Sequence, residues 1–345
     1  MSKTTPLQTA WQAGMKRDWA RNQLPSASLW NAQDVLLNYG AQVRERAGWA
    51  YQSQALSALN AGSTQVKGGV YAIFVISGTA TPRNLAIDED GALYDATTAD
   101  TATSIGTALT VVQNPVFHGG TIRNGQTELT GLVIIPDGTG AAEPKVYDGS
   151  TLATMSGTPP KAKYATVYKD YTVLANGTAS GTLYPNRLWF SPVGDPDCNA
   201  AASWDLTDSW LDVSLPVKSV SATRNAILVF SDTQVARIRG SVPPPDEDMV
   251  VDDPIFTVGL YDPQSIAPYK DTVIWAGPEG IFRSDAVTLD DLTKRGGMLS
   301  YWTSLTSSAT STWTFAGGIQ RDTYFLSVMD GSTFKDAFAI DLQTL

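Results

Sequence analysis

Short runs of apolar residues, each joined through a turn containing Asp or Asn to a second run, recur along the chain from about position 70 onward. Their spacing averages about 50 residues, close to the length of one four-stranded propeller blade. One such sheet cannot cover both of its own faces, whereas several sheets stacked around an axis bury them. The pattern predicts an all-β fold, a six-bladed β-propeller, with an irregular β-sandwich as the alternative. The six runs are residues 70–76, 132–135, 171–174, 226–230, 271–275 and 322–328.

Turn residues support the same fold. Three of the runs follow a similar lead-in, in which a basic residue precedes an Asp, at residues 168–170, 269–271 and 320–322. Asp at this place ends one strand and starts the reversal into the next. Hairpin turns are also predicted where a residue that tolerates positive φ accompanies Gly. These pairs are Asp90-Gly91, Asn176-Gly177, Glu279-Gly280 and Asp330-Gly331.

Residues 1–60 lack this pattern and are predicted to form an extended N-terminal arm, followed by the propeller at residues 61–345. Tryptophans on an extended segment are typical anchors, because each buries a large area at small entropic cost. We expect Trp19, Arg44, Arg46 and Trp49 to contact a partner molecule. The alternative is that Trp11, Trp19, Trp30 and Trp49 pack on the propeller's own side and close the ring as a strand.

Charge and hydropathy restrict the partners. The net charge of −10 argues against a protein that coats nucleic-acid phosphates, although it is compatible with transient contact with passing DNA. No stretch has the apolar length of a signal peptide or of a membrane span, so the sequence predicts a protein made in the cytoplasm without a membrane span.

Residues for catalysis are few. The chain contains one histidine, His118, and one cysteine, Cys198, so an internal disulfide is impossible and a conventional zinc site is not expected. Phosphate loops of the Walker or dinucleotide type are absent from the sequence. A Cys–His pair formed in space and a pair of carboxylates remain open as enzymatic alternatives, but no spacing singles out a carboxylate pair. We predict no catalytic residue, no cofactor and no metal.

An acidic segment follows three consecutive prolines at residues 243–245. It contains Asp246, Asp248, Asp252 and Asp253. An oxygen-rich calcium site is one interpretation. A solvated loop is the interpretation that we favour.

Several motifs resemble bacteriophage tail proteins in which an extended leader precedes a β-propeller. The leader resembles theirs at Gly14-Met-Lys-Arg-Asp18, Leu24-Pro25 and Arg44-x-Arg46-x-Gly48-Trp49. A blade signature of these proteins is similar to Asn186-Arg-Leu-Trp-Phe-Ser191, followed by Gly194-Asp-Pro196 and Trp204. A second stretch is similar to Tyr261-x-Pro263-x-Ser265-Ile266, followed by residues 273–277 and 279–281.

The resemblance implies a virion structural protein in the tail, made in the host cytoplasm. Copies in that family form a ring, commonly a hexamer, that serves as a nozzle or hub below the adaptor or portal and passes DNA through its lumen. Trp19, Arg44, Arg46 and Trp49 would then contact a neighbouring subunit or the adaptor or connector proteins. Asp246, Asp248, Asp252 and Asp253 would line the lumen and gate DNA by repulsion. Tail fibre or tip proteins are further expected partners, and the chain is shorter than the larger nozzle proteins, so connector, nozzle and tip positions all stay open.

A propeller that binds or cleaves glycans, acting as a host-receptor-binding protein, is the alternative function. Trp204, Trp210 and Trp302 would stack on sugar rings if they were exposed, and their burial would argue against this function.

Overall fold

The computed structural model describes residues 66–343 with short gaps, together with two strands near the N-terminus. These two strands, β1 (Val35–Leu37) and β2 (Val43–Glu45), pair antiparallel as a hairpin. The rest of the predicted arm lies outside the described residues. The gaps are residues 77–78, 89–90, 99–101, 108–109, 111–112, 120–121, 125–126, 130, 198–202, 246–247, 321 and 332.

The fold is an all-β, six-bladed β-propeller, as the spacing of the apolar runs predicts. The chain divides into two compact units, residues 51–264 and residues 1–50 with 265–345. The first unit holds blades 1 to 4, and the second holds blades 5 and 6 with the β1–β2 hairpin.

Blades 1 and 2 are four-stranded antiparallel sheets. In blade 2 the sheet order is β7-β10-β11-β12, and the intervening β8 and β9 form a separate hairpin. Blade 1 consists of β3 (Val66–Ile76), β4 (Thr79–Asp88), β5 (Ala92–Asp95) and β6 (Thr103–Thr107). The next strands are β7 (Val116–His118), β8 (Ile122–Asn124), β9 (Thr127–Leu129), β10 (Leu132–Ile135), β11 (Lys145–Tyr147) and β12 (Leu152–Thr154).

Blades 3 and 4 have four strands each in simple sequence order. Blade 3 consists of β13 (Lys161–Tyr168), β14 (Tyr171–Ala179), β15 (Thr182–Phe190) and β16 (Trp210–Asp212). Blade 4 consists of β17 (Ser219–Ala222), β18 (Ala226–Phe230), β19 (Val235–Arg239) and β20 (Val250–Phe256).

Blade 5 also has four strands, whereas blade 6 has three among the described residues. Two short helices join the blades, and Trp302 of the second helix packs on Phe315 and Phe338 of blade 6. The elements of this unit are β21 (Ala267–Tyr269), β22 (Thr272–Gly277), β23 (Gly280–Ser284), β24 (Leu289–Asp291), α1 (Leu292–Arg295), α2 (Leu299–Thr306), β25 (Trp313–Gln320), β26 (Thr323–Asp330) and β27 (Thr333–Asp341).

Neighbouring blades of the first unit bury apolar side chains against each other. Phe74 of blade 1 meets Tyr147 of blade 2 edge to face, with 5.6 Å between the ring centroids. Ile134 of blade 2 shares a buried cluster with Trp189 of blade 3. On the other face of blade 3, Phe190 packs in a cluster with side chains of blade 4. Each sheet therefore buries one face against each neighbour, as stacked blades must.

The first strands of successive blades are neighbours of one another. In the first unit β3 approaches β7, β7 approaches β13 and β13 approaches β17, and in the second unit β21 approaches β25. The blades of a propeller surround a central axis. The first strand of each blade is therefore the inner strand, and the last strand lies at the outer edge.

Candidate functional site

Asp252, in the predicted acidic segment, is held by two arginines of the adjacent strand. Its Oδ2 accepts hydrogen bonds from Nε of Arg239 at 2.5 Å and from Nε of Arg237 at 2.9 Å. The hydrogen bond from Arg239, followed by that from Arg237, lowers the pKa of Asp252 to about 2. The carboxylate is therefore ionised at neutral pH and already paired with two cations.

Asp248 and Asp253 organise the loops on either side of this strand. Oδ1 of Asp248 accepts hydrogen bonds from the backbone N–H groups of Ser241, at 2.5 Å, and Val242, at 2.7 Å. These bonds, that of Val242 first, lower the pKa of Asp248. Asp253 accepts a hydrogen bond from the backbone N–H of Ser214. Both residues have structural roles, and Asp246 lies outside the described residues.

The position of strand β20 matters for the prediction that Asp252 and Asp253 gate the passage of DNA. Asp252 and Asp253 lie on this strand, which is the last in the sheet order β17-β18-β19-β20. Since β17 is the inner strand of blade 4, the two carboxylates lie at the outer edge of their blade. Any DNA path that they line would run along the outside of this propeller, and their gating role stays a prediction.

The predicted arm contacts are only partly within the described residues. Arg44 is in β2, opposite Leu36 of β1. Trp19, Arg46 and Trp49 lie outside the described residues, so their contacts with a partner stay predictions.

The tryptophans considered for glycan stacking are largely buried. Trp204 is 3% exposed and Trp302 is fully buried. The indole Nε1 of Trp302 donates to the carbonyl oxygen of Gly277 at 3.2 Å. Trp210 is half-buried, and the Arg187 guanidinium lies 3.4 Å from its ring centroid. Because sugar stacking needs an open ring face, these three residues give a glycan-binding propeller no support.

His118 is buried in the inner strand β7. Its Nδ1 lies 3.4 Å from Oγ1 of Thr172 in blade 3. Burial lowers the pKa of His118, with an opposing effect from the charge of Asp170. Cys198 lies outside the described residues, so a Cys–His pair is not tested. In the described part of the chain, no group of three or more His, Cys, Asp and Glu residues could hold a metal ion.

A polar pair of residues, Gln113 and Asn114, connects the inner strands of several blades. Nε2 of Gln113 donates to the carbonyl oxygen of Ala165 in β13 at 2.5 Å, and its Oε1 accepts from Oγ of Ser219 in β17 at 2.8 Å. Oδ1 of Asn114 accepts from the backbone N–H of Gly69 in β3 at 3.3 Å. The two side chains therefore connect the inner strands of blades 1, 3 and 4. We call Gln113 and Asn114 the axial bridge.

The sequence marks the position of the axial bridge but not its partners. Gln113 and Asn114 follow the apolar pair Val111-Val112 and precede the first strand of a blade. Gln113 is only 5% exposed, so both ends of its amide need partners inside the protein. Its partner Ser219 lies 106 positions away, and local patterning cannot identify such a partner.

A second recurrent feature is an Asp that lies at the end of the third strand of a blade or in the connection from the third strand to the fourth. Oδ1 of Asp148, for example, accepts from the backbone N–H groups of Ser150, at 2.8 Å, and Thr151, at 2.7 Å. Side-chain capping of this kind holds a tight turn. Two backbone N–H groups also donate to Asp205, in the connection between β15 and β16, and to Asp285, directly after β23. Asp95, the last residue of β5, accepts from one backbone N–H, that of Thr97. The sequence signal is Asp followed two or three positions later by Ser or Thr.

The described residues contain no helix that is both long and apolar enough to cross a membrane.

Comparison with known proteins yields structural similarity alone. No family model matches the chain, and no curated protein matches it. One similar solved structure is PorZ, an essential bacterial surface component of the type-IX secretion system of Porphyromonas gingivalis, with a TM-score of 0.44 and 10% identity over 87% of this chain and 34% of PorZ. The chain thus spans about a third of the length of PorZ.

A second similar structure is BBS1N in complex with ARL6DN. In one crystal the TM-score is 0.44 with 9% identity over 80% of this chain and 86% of the other. In another crystal of the complex the identity is 10% and the coverage is 79% and 83%, at the same TM-score. Similarity at this level carries no argument about function or partners.

Proposed function

We propose that this chain is a structural protein of a bacteriophage tail, whose copies form a ring that serves as nozzle or hub and passes the genome during ejection. The proposal begins from the resemblance of its motifs to phage tail proteins. In this role the propeller would be a rigid structural part of the tail and would need no catalytic site.

The observation that carries the proposal is the placement of the family-like motifs. Residues 186–190 lie in β15, and Trp189 among them is fully buried against blade 2. Residues 273–277 lie in β22, where Trp275 is also fully buried. The motif residues therefore build the core between and within blades. Residues that pack in the core maintain the shape of the propeller, and a structural protein depends on that shape.

The loop that follows the first motif supports the same interpretation. The backbone N–H of Gly194 donates to the carbonyl oxygen of Asp170 at 2.8 Å, which ties this loop to the turn between β13 and β14. The backbone N–H of Trp204 donates to the carbonyl oxygen of Gly157 at 3.0 Å, and the buried indole joins the cluster shared with blade 2. The motif thus fastens blade 3 to its neighbour, as a rigid building block requires.

The location in the particle is tested by immunogold electron microscopy on particles of the source virus, with antibody raised against the purified chain. Label on the tail is the expected result, and its height along the tail separates connector, nozzle and tip. Particles that carry no label, while a capsid antibody labels them normally, would refute the proposal.

The ring is tested separately by native mass spectrometry of the purified full chain across a range of concentrations. A hexamer is expected, either alone or after addition of the isolated adaptor protein of the same virus. A chain that stays monomeric under both conditions, and in detergent-disrupted tails, would contradict the ring.

A further inference from the structure

Strands β19 and β20 of blade 4 present four side chains on one face of their sheet. Arg237 lies opposite Asp252 in the register, and Arg239 lies opposite Val250. Alternate residues of a strand share a face, and directly opposed residues lie on the same side. The other face is covered, because Ile238 belongs to the apolar cluster shared with blade 3. We call Arg237, Arg239, Val250 and Asp252 the arginine face.

Arg239 carries excess positive charge on this face. Both guanidinium groups donate to the single carboxylate of Asp252. Among the described residues, no other carboxylate lies within ion-pair distance of Arg239. Its side chain is 53% exposed, whereas that of Arg237 is 20% exposed. Arg239 thus shares its carboxylate with a second cation and holds the surplus charge at the surface.

The arginine in the third strand of blade 3 is used entirely inside the chain. Arg187 pairs with Asp212 through two hydrogen bonds of 2.8 and 2.9 Å. Its guanidinium also lies over the rings of Tyr184 and Trp210. Only 13% of its side chain is exposed. The greater exposure of Arg239 leaves its guanidinium open to a partner molecule.

Apolar side chains border Arg239. Val250 is 51% exposed and Val242 is 38% exposed. The carbonyl oxygen of Val242 accepts the backbone N–H of Met249, which holds this loop beside Val250. Arginine is enriched in protein interfaces and forms bidentate pairs with carboxylates. The arginine face therefore fits a protein partner that presents a carboxylate.

A second copy of this chain offers such a partner. With 34 acidic and 24 basic residues, each copy has more carboxylates than its own cations can match. Exposed carboxylates occur in turns of other blades, such as Asp208 in blade 3 and Asp285 in blade 5. A contact between different surface regions of two copies is heterologous, and repetition of such a contact closes a ring when the rotation allows it.

We propose that the arginine face of one copy binds an acidic turn of the next copy, with Arg239 forming the ion pair and Val250 packing beside it. This inference rests on the proposed ring and names one of its contact surfaces. It also gives Asp252 a role, which is to orient the two arginines toward the neighbouring copy.

The contact is tested by analytical ultracentrifugation of the full chain over a range of concentrations. Val250→Asp places a carboxylate opposite Arg239, where it pairs within the copy and competes with the partner. We expect it to raise the concentration needed for assembly at least about tenfold. Val250→Asn removes the same apolar surface without adding charge, and its effect should be smaller. Arg239→Gln should weaken assembly too, whereas Arg224→Gln, which removes an exposed cation from the β17–β18 turn, should not.

Photo-crosslinking identifies the molecule that covers the arginine face. The full chain with p-benzoylphenylalanine at position 250 should form adducts with a second copy, and mass spectrometry of the linked peptides should place the other end in an acidic turn. The same group at position 183 is the control, since Leu183 is 56% exposed in blade 3. Equal yields at both positions would overturn the inference, and so would adducts formed only with a different protein of assembled tails.

These outcomes separate the contact from the proposed function. If the chain assembles but substitutions at positions 239 and 250 leave assembly unchanged, the arginine face is not the contact and the ring itself stands. If the unaltered chain stays monomeric and no adduct between copies forms in assembled tails, the contact and the ring are both refuted. Near-ultraviolet circular dichroism shows whether each variant is folded, and the crosslinking result decides the question for a variant that is not.

Discussion

The phenol of Tyr168 donates a 2.7 Å hydrogen bond to the carbonyl oxygen of Gly240, 72 positions later in the chain. Tyr168 ends the inner strand of blade 3, and Gly240 follows the third strand of blade 4. Lys169 reaches the same carbonyl at 3.0 Å and Oγ of Ser241 at 2.6 Å. A turn at the end of one blade is thus attached to a loop of the next.

Tyr168→Phe removes only this hydrogen bond and keeps the ring. We expect the free energy of unfolding to fall by about 1 kcal/mol, because the Gly240 carbonyl keeps Lys169 as a donor. Chemical denaturation with a matched control, Tyr171→Phe, measures the effect. A loss as large in the control as in Tyr168→Phe would show that the bond between blades contributes nothing.

Removing the amide of Gln113 should have a larger effect. Gln113→Ala leaves the buried hydroxyl of Ser219 and the carbonyl of Ala165 without this partner, and we expect a loss of about 2 to 3 kcal/mol. A double-mutant cycle with Ser219→Ala isolates the bond between the two side chains, and a coupling of about 1 kcal/mol is expected. Strictly additive losses would contradict a direct interaction.

Asp252 should titrate far below an ordinary aspartate. Its pKa is lowered to about 2, so it stabilises the native state above the ordinary pKa of about 3.9 and loses this contribution as the pH falls from about 4 toward 2. NMR titration of the side-chain carboxyl carbon measures this directly. Arg239→Gln should raise the pKa toward the ordinary value, whereas a wild-type midpoint already near the ordinary value would refute the assigned contacts.

His118 should make stability depend on pH in the neutral to mildly acidic range. Burial lowers its pKa below the ordinary 6.5, so as the pH falls through that value the unfolded chain takes up a proton that the native state resists. The native state is therefore destabilised at low pH. The difference in unfolding free energy between wild type and His118→Gln should shift against the wild type as the pH falls from about 8 to below about 6. A difference that is constant with pH would contradict a buried neutral imidazole.

Trp204, which is buried, and Trp210, which is half-buried, should differ in how much stability the protein loses when each is replaced by alanine. Trp204→Ala should lower the free energy of unfolding by about 3 to 5 kcal/mol, because a nearly fully buried indole is removed from the cluster between blades 2 and 3. Trp210→Ala should cost less, about 1 to 2 kcal/mol, because Trp210 is half-buried and loses its contact with the Arg187 guanidinium and the hydrogen bond from its Nε1 to the carbonyl oxygen of Thr207. Thermal denaturation of both variants decides this, and equal losses would refute the difference in burial.

The sequence predicted the blades because one strand of each blade is mainly apolar. Five of the six apolar runs lie in second strands, β10, β14, β18, β22 and β26. A second strand has a neighbour on each edge, and β10, β14, β18 and β22 are buried along almost their whole length, as a strand covered on both faces is. In β26 buried and half-buried residues alternate. Blade 1 is the exception, where the run at 70–76 lies in the first strand, β3.

One predicted turn was wrong. Asn176-Gly177 lies inside β14 rather than at a reversal, and the register with β15 shifts there. Asn176 has a φ of 51°, and a Cβ on Gly177 would lie 2.6 Å from the carbonyl oxygen of Lys161. Some β-bulges contain a residue with positive φ, as tight turns do, so the dipeptide alone cannot distinguish the two. The turns at Gly91 and Gly331 are confirmed by their positive φ values.

The acidic segment shows what residue type alone cannot predict. Asp252 was identified as a candidate from its neighbours in sequence, but its charge is matched by Arg237 and Arg239 across a strand pair. The sequence alone does not show that the side chains of Trp204 and Trp302 are buried by the packing of the blades. Pairing and burial of this kind depend on the register of strands distant in sequence, which local patterns do not contain.

The axial bridge also has a mechanical consequence. Because Gln113 and Asn114 hold β3, β13 and β17 together, pulling blade 1 away from its neighbours loads hydrogen bonds in blades 3 and 4 at the same time. Stretched between the two ends of residues 66–264, these four blades would resist force as one body and yield in a single step, rather than peel off one blade after another.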